Sequence, residues 1–116
     1  MVCHICSLYL CVDDMDRAVS FYENFFEQAV TEKDPVYSVF DINGFRLGLF
    51  AYQKMNEHHT WGSNCLPSIS LENVEMLRKK LQNLEICFPL TQIRGNWVAE
   101  FIDSEENHIE LTAPVT

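Results

Sequence analysis

This chain contains the same pattern twice. Ser7-Leu8-Tyr9-Leu10 superposes on Ser68-Ile69-Ser70-Leu71 at an offset of 61. Val12, Met15, Val19 and Tyr22 superpose on Val74, Leu77, Leu81 and Leu84 at an offset of 62, as does Leu47-Gly48-Leu49 on Ile109-Glu110-Leu111. Self-similarity at a fixed spacing marks one supersecondary unit used more than once. The chain has 116 residues, enough for one domain, and each copy alone is too small to bury much of a core.

Within each copy the hydrophobic period changes in the same order. Cys3–Val12 is a short apolar run of strand formers ending at Asp13-Asp14, and either aspartate can cap a helix. Met15, Ala18, Val19, Tyr22, Phe25 and Phe26 then recur at three and four, giving a helix with one apolar face. Strands are expected at Ala29–Lys33, Val36–Ile42 and Phe45–Tyr52, the last two joined by Asn43-Gly44, where both residues tolerate positive φ. Residues 54–64 read as the connecting loop. The second copy starts with a strand at Leu66–Glu72, with Pro67 at its start, where a missing N–H is tolerated. A helix follows, capped by Asn73, with its stripe at Val74, Leu77, Leu81 and Leu84. Strands at Ile86–Thr91, Trp97–Asp103 and His108–Ala113 complete it. The expected fold is therefore α+β: two tandem βαβββ modules, about 1–53 and 65–116, in a single domain 1–116. Their sheets should curl around a concave ligand cavity, with the helices on the other faces.

Charge and cysteine usage narrow the function classes. The formal net charge is −9. Phosphate neutralisation needs a clustered basic surface, so nucleic acid is a poor partner, whereas cations are drawn toward the chain. No apolar run approaches the roughly 18 residues that span a bilayer. The apolar Met1–Val12 has no Lys or Arg before it, which speaks against a secretory signal. Five cysteines, Cys3, Cys6, Cys11, Cys65 and Cys87, make an odd count, so reduced thiols in a cytoplasmic protein are expected. Cys3 and Cys6 form a lone CxxC with no second pair, and they read as structural thiols.

Two stretches resemble a known family. Val12-Asp13-Asp14-Met15-Asp16-Arg17-Ala18-Val19-Ser20-Phe21-Tyr22 is similar to the strand–turn–helix signature of the vicinal oxygen chelate superfamily (glyoxalase, bleomycin-resistance and extradiol-dioxygenase proteins). Phe101-Ile102-Asp103-Ser104-Glu105-Glu106-Asn107-His108-Ile109-Glu110-Leu111 is similar to its closing hairpin, F-x-D-P-x-G-N-x-I-E-L, with Ser104 and Glu106 in place of Pro and Gly. The resemblance covers essentially the whole chain. It implies that metal-dependent members carry ligands at four equivalent points, which fall here on Ser7, Gly48, Ser68 and Glu110. One carboxylate and two hydroxyls do not make a site for a divalent transition metal. No cofactor is therefore expected, a divalent metal being the alternative.

Alternation along the strands extends these four points to a candidate ligand-binding face: Ser7, Tyr9 and Cys11; Gly48, Phe50 and Tyr52; Ser68 and Ser70; His108, Glu110 and Thr112. The same pattern also fits an ordinary barrel interior with satisfied polar groups. His108 and Glu110 are two apart on one strand and read either as a ligand pair or as a strand-end histidine near solvent beside an acid. His58-His59 lie in the connecting loop, and Trp61 and Trp97 are core or cavity wall. A three-residue turn after Asp103 would place Glu100 directly opposite Glu110, and a four-residue turn would face it away.

The expected function is a metal-free small-molecule binding protein of the glyoxalase/bleomycin-resistance type, taking up a bulky or cationic compound. The alternative is a glyoxalase-like lyase or isomerase using Glu110 as catalytic base or metal ligand. An accessory module is the third reading. A homodimer is expected, because open sheet edges and small modules favour two-fold pairing.

Overall fold

The structure, a computed structural model, describes Val2, residues 5–55 and residues 66–115. Cys3, His58, His59, Trp61 and Cys65 lie outside the described residues. The chain divides into two compact units, Met1–Thr60 and Trp61–Thr116. No helix among the described residues is long and apolar enough to cross a membrane.

The first unit runs β1 (Ser7–Cys11), α1 (Met15–Phe26), β2 (Tyr37–Ile42) and β3 (Phe45–Phe50). Its sheet has the order β1-β3-β2, with β1 parallel and β2 antiparallel to β3. Asp14 is the N-cap of α1. Its backbone is extended and its carboxylate accepts from Arg17 N at 3.0 Å, satisfying a donor the helix cannot. The stripe read from the sequence is the buried one: Met15, Ala18, Val19, Tyr22 and Phe25. Tyr22 is fully buried against Phe40 and Phe26. Asn43 and Gly44 both have positive φ, 52° and 91°, so the expected two-residue hairpin turn forms.

One expected strand is reduced. The segment 29–33 makes a single isolated bridge, Glu32 to Val39. Thr31 N and Glu32 N both donate to Val39 O, at 2.9 and 3.0 Å, so two residues oppose one, as in a β-bulge. Side chains take the places a ladder would use. Val30 N donates to the Glu23 carboxylate and Asp41 N to Thr31 Oγ1. The N–H groups of residues 30–32 are satisfied without a strand.

The second unit runs β4 (Ser68–Ser70), α2 (Val74–Leu81), β5 (Glu85–Ile93), β6 (Asn96–Ile102) and β7 (His108–Pro114), in the sheet order β4-β7-β6-β5. Asn73 caps α2 by accepting from Met76 N at 2.9 Å. Arg78, Lys79 and Lys80 sit in its last turn, where the helix dipole favours cations. Leu84 falls one turn beyond the helix, its N–H donating to Leu81 O. Leu77 and Leu81 are buried with Ala99, Phe101, Ile109, Leu111 and Ala113, the alternate residues of β6 and β7. Trp97 shares that face, with the Arg78 guanidinium 5.7 Å from its ring, so it belongs to the helix-covered side. The three-residue form of the last turn is the one present. Asp103 N donates to Asn107 O at 2.9 Å and Glu100 pairs directly with Glu110.

Candidate functional site

In the first unit, Ser7, Tyr9, Gly48 and Phe50 share the sheet face opposite the one that α1 covers, as register and alternation require. Tyr37, directly across from Phe50, joins them. The rings of Tyr9, Phe50 and Tyr37 form a triangle, with centroids 5.4 Å apart for Tyr9–Phe50, 6.1 Å for Tyr37–Phe50 and 6.3 Å for Tyr9–Tyr37. Tyr9 is 53% and Tyr37 37% exposed, so the group presents aromatic surface to solvent rather than filling a core. Gly48 lies beneath it. The Tyr37 hydroxyl and Cζ stand where a Cβ on residue 48 would go. The sequence reading missed Tyr37, although counting back from the Asn43-Gly44 turn pairs 42 with 45 and hence 37 with 50.

Tyr52 does not belong to this face. Ala51 N still donates to Val36 O in the β2–β3 register, but beyond it Lys54 N folds back to Ala51 O, making a 310 turn over Tyr52–Met55. The Tyr52 hydroxyl instead donates to Asp13 Oδ1 at 3.3 Å, and partial burial together with the Asp13 charge raises its pKa. A groove of about 710 Å3 runs by the start of α1, between Asp13, Asp14, Asp16, Lys33, Asp34 and Lys54. Met15 and Pro35 complete its lining, which holds no aromatic ring.

In the second unit, Ser68, Ser70, His108, Glu110 and Thr112 share a face by the same logic. Ser68 Oγ donates to Glu110 Oε1 at 2.7 Å. Glu100 stands across from Glu110 on β6, so two carboxylates occupy neighbouring strands with no Lys or Arg paired to either among the described residues. His108 is exposed, as expected of a strand end, yet its Nδ1 lies 3.7 Å from Cys87 Sγ. Partial desolvation holds the Cys87 thiol above its ordinary pKa, with help from the Glu100 and Glu85 carboxylates.

The sequence profile of the Glyoxalase/Bleomycin resistance protein/Dioxygenase superfamily matches residues 3–86. The chain belongs to that superfamily. Solved structures agree at the level of the fold. A glyoxalase/bleomycin resistance protein/dioxygenase family enzyme from Burkholderia phytofirmans matches at 16% identity and TM-score 0.79, covering 95% of this chain and 98% of that one. A glyoxalase-related enzyme from Fulvimarina pelagi matches at 12% and 0.80, covering 97% and 88%. Lactoylglutathione lyase from Agrobacterium tumefaciens matches at 16% and 0.76, covering 95% and 92%. No curated protein matches the chain by sequence.

The donors present do not fit a superfamily metal. Position 48 has no side chain, and a phenol lies over it. On β1 the residue paired with Gly48 is Tyr9, not Ser7, which pairs with Arg46. In the second unit the Ser68 hydroxyl and the Glu110 carboxylate are bonded to each other. Neutral hydroxyls and a glycine offer a transition metal no imidazole and no second carboxylate at these positions.

Proposed function

We propose that the protein binds and sequesters a small planar organic cation on the aromatic face of its first unit, without a metal at the superfamily's ligand positions. The observation that carries this reading is the part-exposed Tyr9–Tyr37–Phe50 triangle, with Tyr37 laid over Gly48. Aromatic faces attract cations through the ring quadrupole, by about 0.5–2 kcal/mol per contact. They also supply apolar area at low conformational cost. A net charge of −9 raises the local concentration of cationic ligands. The test is fluorescence anisotropy with acriflavine, a planar aromatic cation, against fluorescein, a planar anion. Acriflavine should bind, fluorescein should not, and Tyr37→Ala should weaken acriflavine about tenfold, since stacking is worth roughly 1–3 kcal/mol. Equal binding of both dyes, or an unchanged affinity in the variant, rejects the reading.

A second reading rests on the Ser68–Glu110 bond. Ser68 fixes one carboxylate oxygen of Glu110, and a carboxylate held this way is oriented as a general base requires. Lactoylglutathione turnover that disappears in Glu110→Gln would support this enzyme reading over pure binding. We further take the protein to be a homodimer. Each sheet ends in two edge strands, β1 and β2 in one and β4 and β5 in the other, and edge strands are templates for pairing with another chain. Light scattering that returns the mass of one chain at micromolar concentration would reject the dimer.

A further inference from the structure

The edge of the second sheet carries a side-chain cluster that none of the superfamily positions includes. One donor atom each of Cys87, Glu100 and His108 lies within 4.8 Å of the others. The local fold explains how three strands bring them together. Ile86 pairs with Phe101 and Phe88 with Glu100, so β5 carries one extra residue there, Cys87. A bulge of this kind re-aims a side chain that regular pairing would place elsewhere. On the other flank, His108 pairs with Ile102, two residues from Glu100 on the same face.

We propose that Cys87, Glu100 and His108 form a binding site for a thiophilic divalent cation of the zinc class. Thiolate, imidazole and carboxylate are the three ligand types zinc takes from proteins. Tetrahedral zinc at ordinary bond lengths puts a sulfur and a nitrogen ligand about 3.5 Å apart, and the Cys87 Sγ to His108 Nδ1 separation is 3.7 Å. Three protein ligands leave a fourth position for water or a ligand atom. Sulfur and imidazole select zinc over magnesium or calcium, which prefer all-oxygen shells. The charge environment points the same way. Glu100 is flanked by Glu110 across the strand pair, and Glu85 lies near Cys87. A bound cation would offset repulsion that the apo protein leaves in place. The thiol gives up its proton when the metal binds, so uptake should release one proton per ion. Its three residues all lie in the second unit, and the site stands or falls separately from the binding function proposed on the first.

The test is cobalt(II) titration of the reduced full chain carrying Cys3→Ser and Cys6→Ser, which removes the CxxC thiols as competitors. One equivalent should bind with a thiolate-to-cobalt charge-transfer band, and zinc should displace it. Cys87→Ser in that background should abolish the band, and His108→Gln should weaken affinity at least about tenfold. Cys87 and His108 are both exposed, so the variants should keep the far-UV circular dichroism of the parent. A zinc-dependent shift of the His108 imidazole NMR resonances gives a second readout in the unmodified sequence. A band that persists in Cys87→Ser, cobalt binding without a thiolate band, or unshifted His108 resonances would overturn the site.

Discussion

The phenol of Tyr37 occupies the volume that a side chain on Gly48 would need. Neither residue explains the other alone. Glycine leaves the opening, and the two-residue hairpin sets the register that brings Tyr37 beside it. The relationship predicts energetic coupling. Gly48→Ala should lower stability by about 1 kcal/mol, the low end for overpacking, because the tip of Tyr37 is part-exposed and can swing away. In a Tyr37→Ala background the same change should be neutral or stabilising by up to about 1 kcal/mol, since alanine is the better strand residue. Urea denaturation of the four proteins measures the coupling, which should be roughly 1 kcal/mol or more. Zero coupling would mean the phenol does not fill that space.

The last hairpin makes a second prediction. Asp103 Oδ1 accepts from Glu105 N and Asn107 N, both at 2.8 Å, and Oδ2 accepts from the Asn107 amide at 3.1 Å. This holds Glu106 at φ 67°, a left-handed conformation that disfavours side chains by roughly 1–2 kcal/mol. The superfamily pattern has glycine at this position. Glu106→Gly should therefore raise stability by about 1 kcal/mol once glycine's own entropy loss is subtracted. Asp103→Ala should lower it by about 2 kcal/mol by orphaning donors in a buried turn. Thermal melts of the two variants should move in opposite directions.

Elements were legible in the sequence wherever a local signal acted. The α1 stripe, the Asp14 and Asn73 caps and the Asn43-Gly44 turn each follow from residues within a few positions. The departures come from contacts between distant residues. The segment 29–33 carries the strand formers Val30 and Thr31, but the Glu23 carboxylate and Thr31 Oγ1 take the acceptor places that a ladder would use. The repeat aligned Ser7 with Ser68, yet Gly48 pairs with Tyr9 while Glu110 pairs with Ser68. That two-residue slip keeps every side chain on its expected face, because the strand period is two, and only position along the strand changes. Tyr52 left the face because β3 stopped two residues early. Cys87 reached His108 through a bulge, which periodicity cannot show.

Acid sensitivity should trace in part to Asp34. Its carboxylate accepts from Val36 N at 2.9 Å and Tyr37 N at 3.1 Å, and with Lys54 these hold its pKa below the ordinary 3.8. A depressed folded-state pKa means the contribution is complete above the unfolded value and is lost as pH falls through the folded one. Stability measured from about pH 6 down to about pH 2 should therefore fall less steeply in Asp34→Asn than in the parent. An identical slope would show that the anion of Asp34 is not favoured by folding. Because the same carboxylate anchors the start of β2, the variant should also perturb the NMR signals of Tyr37.

The Glu100–Glu110 pair yields the final prediction. Like charges directly opposite on neighbouring strands oppose pairing by roughly 0.2–1 kcal/mol, and here Ser68 is bonded to only one of the two carboxylates. Glu110→Gln keeps the shape and retains an amide oxygen for the Ser68 hydroxyl, while removing the charge. Stability should rise by roughly 0.2–1 kcal/mol at low ionic strength. The gain should shrink as salt screens the repulsion in the parent. Denaturation at about 10 mM and about 500 mM salt separates this from a packing effect, which salt would not change. Lower stability at both salt concentrations would mean that the folded state is built around the Glu110 charge, as an oriented base requires, and would favour the catalytic reading of this residue.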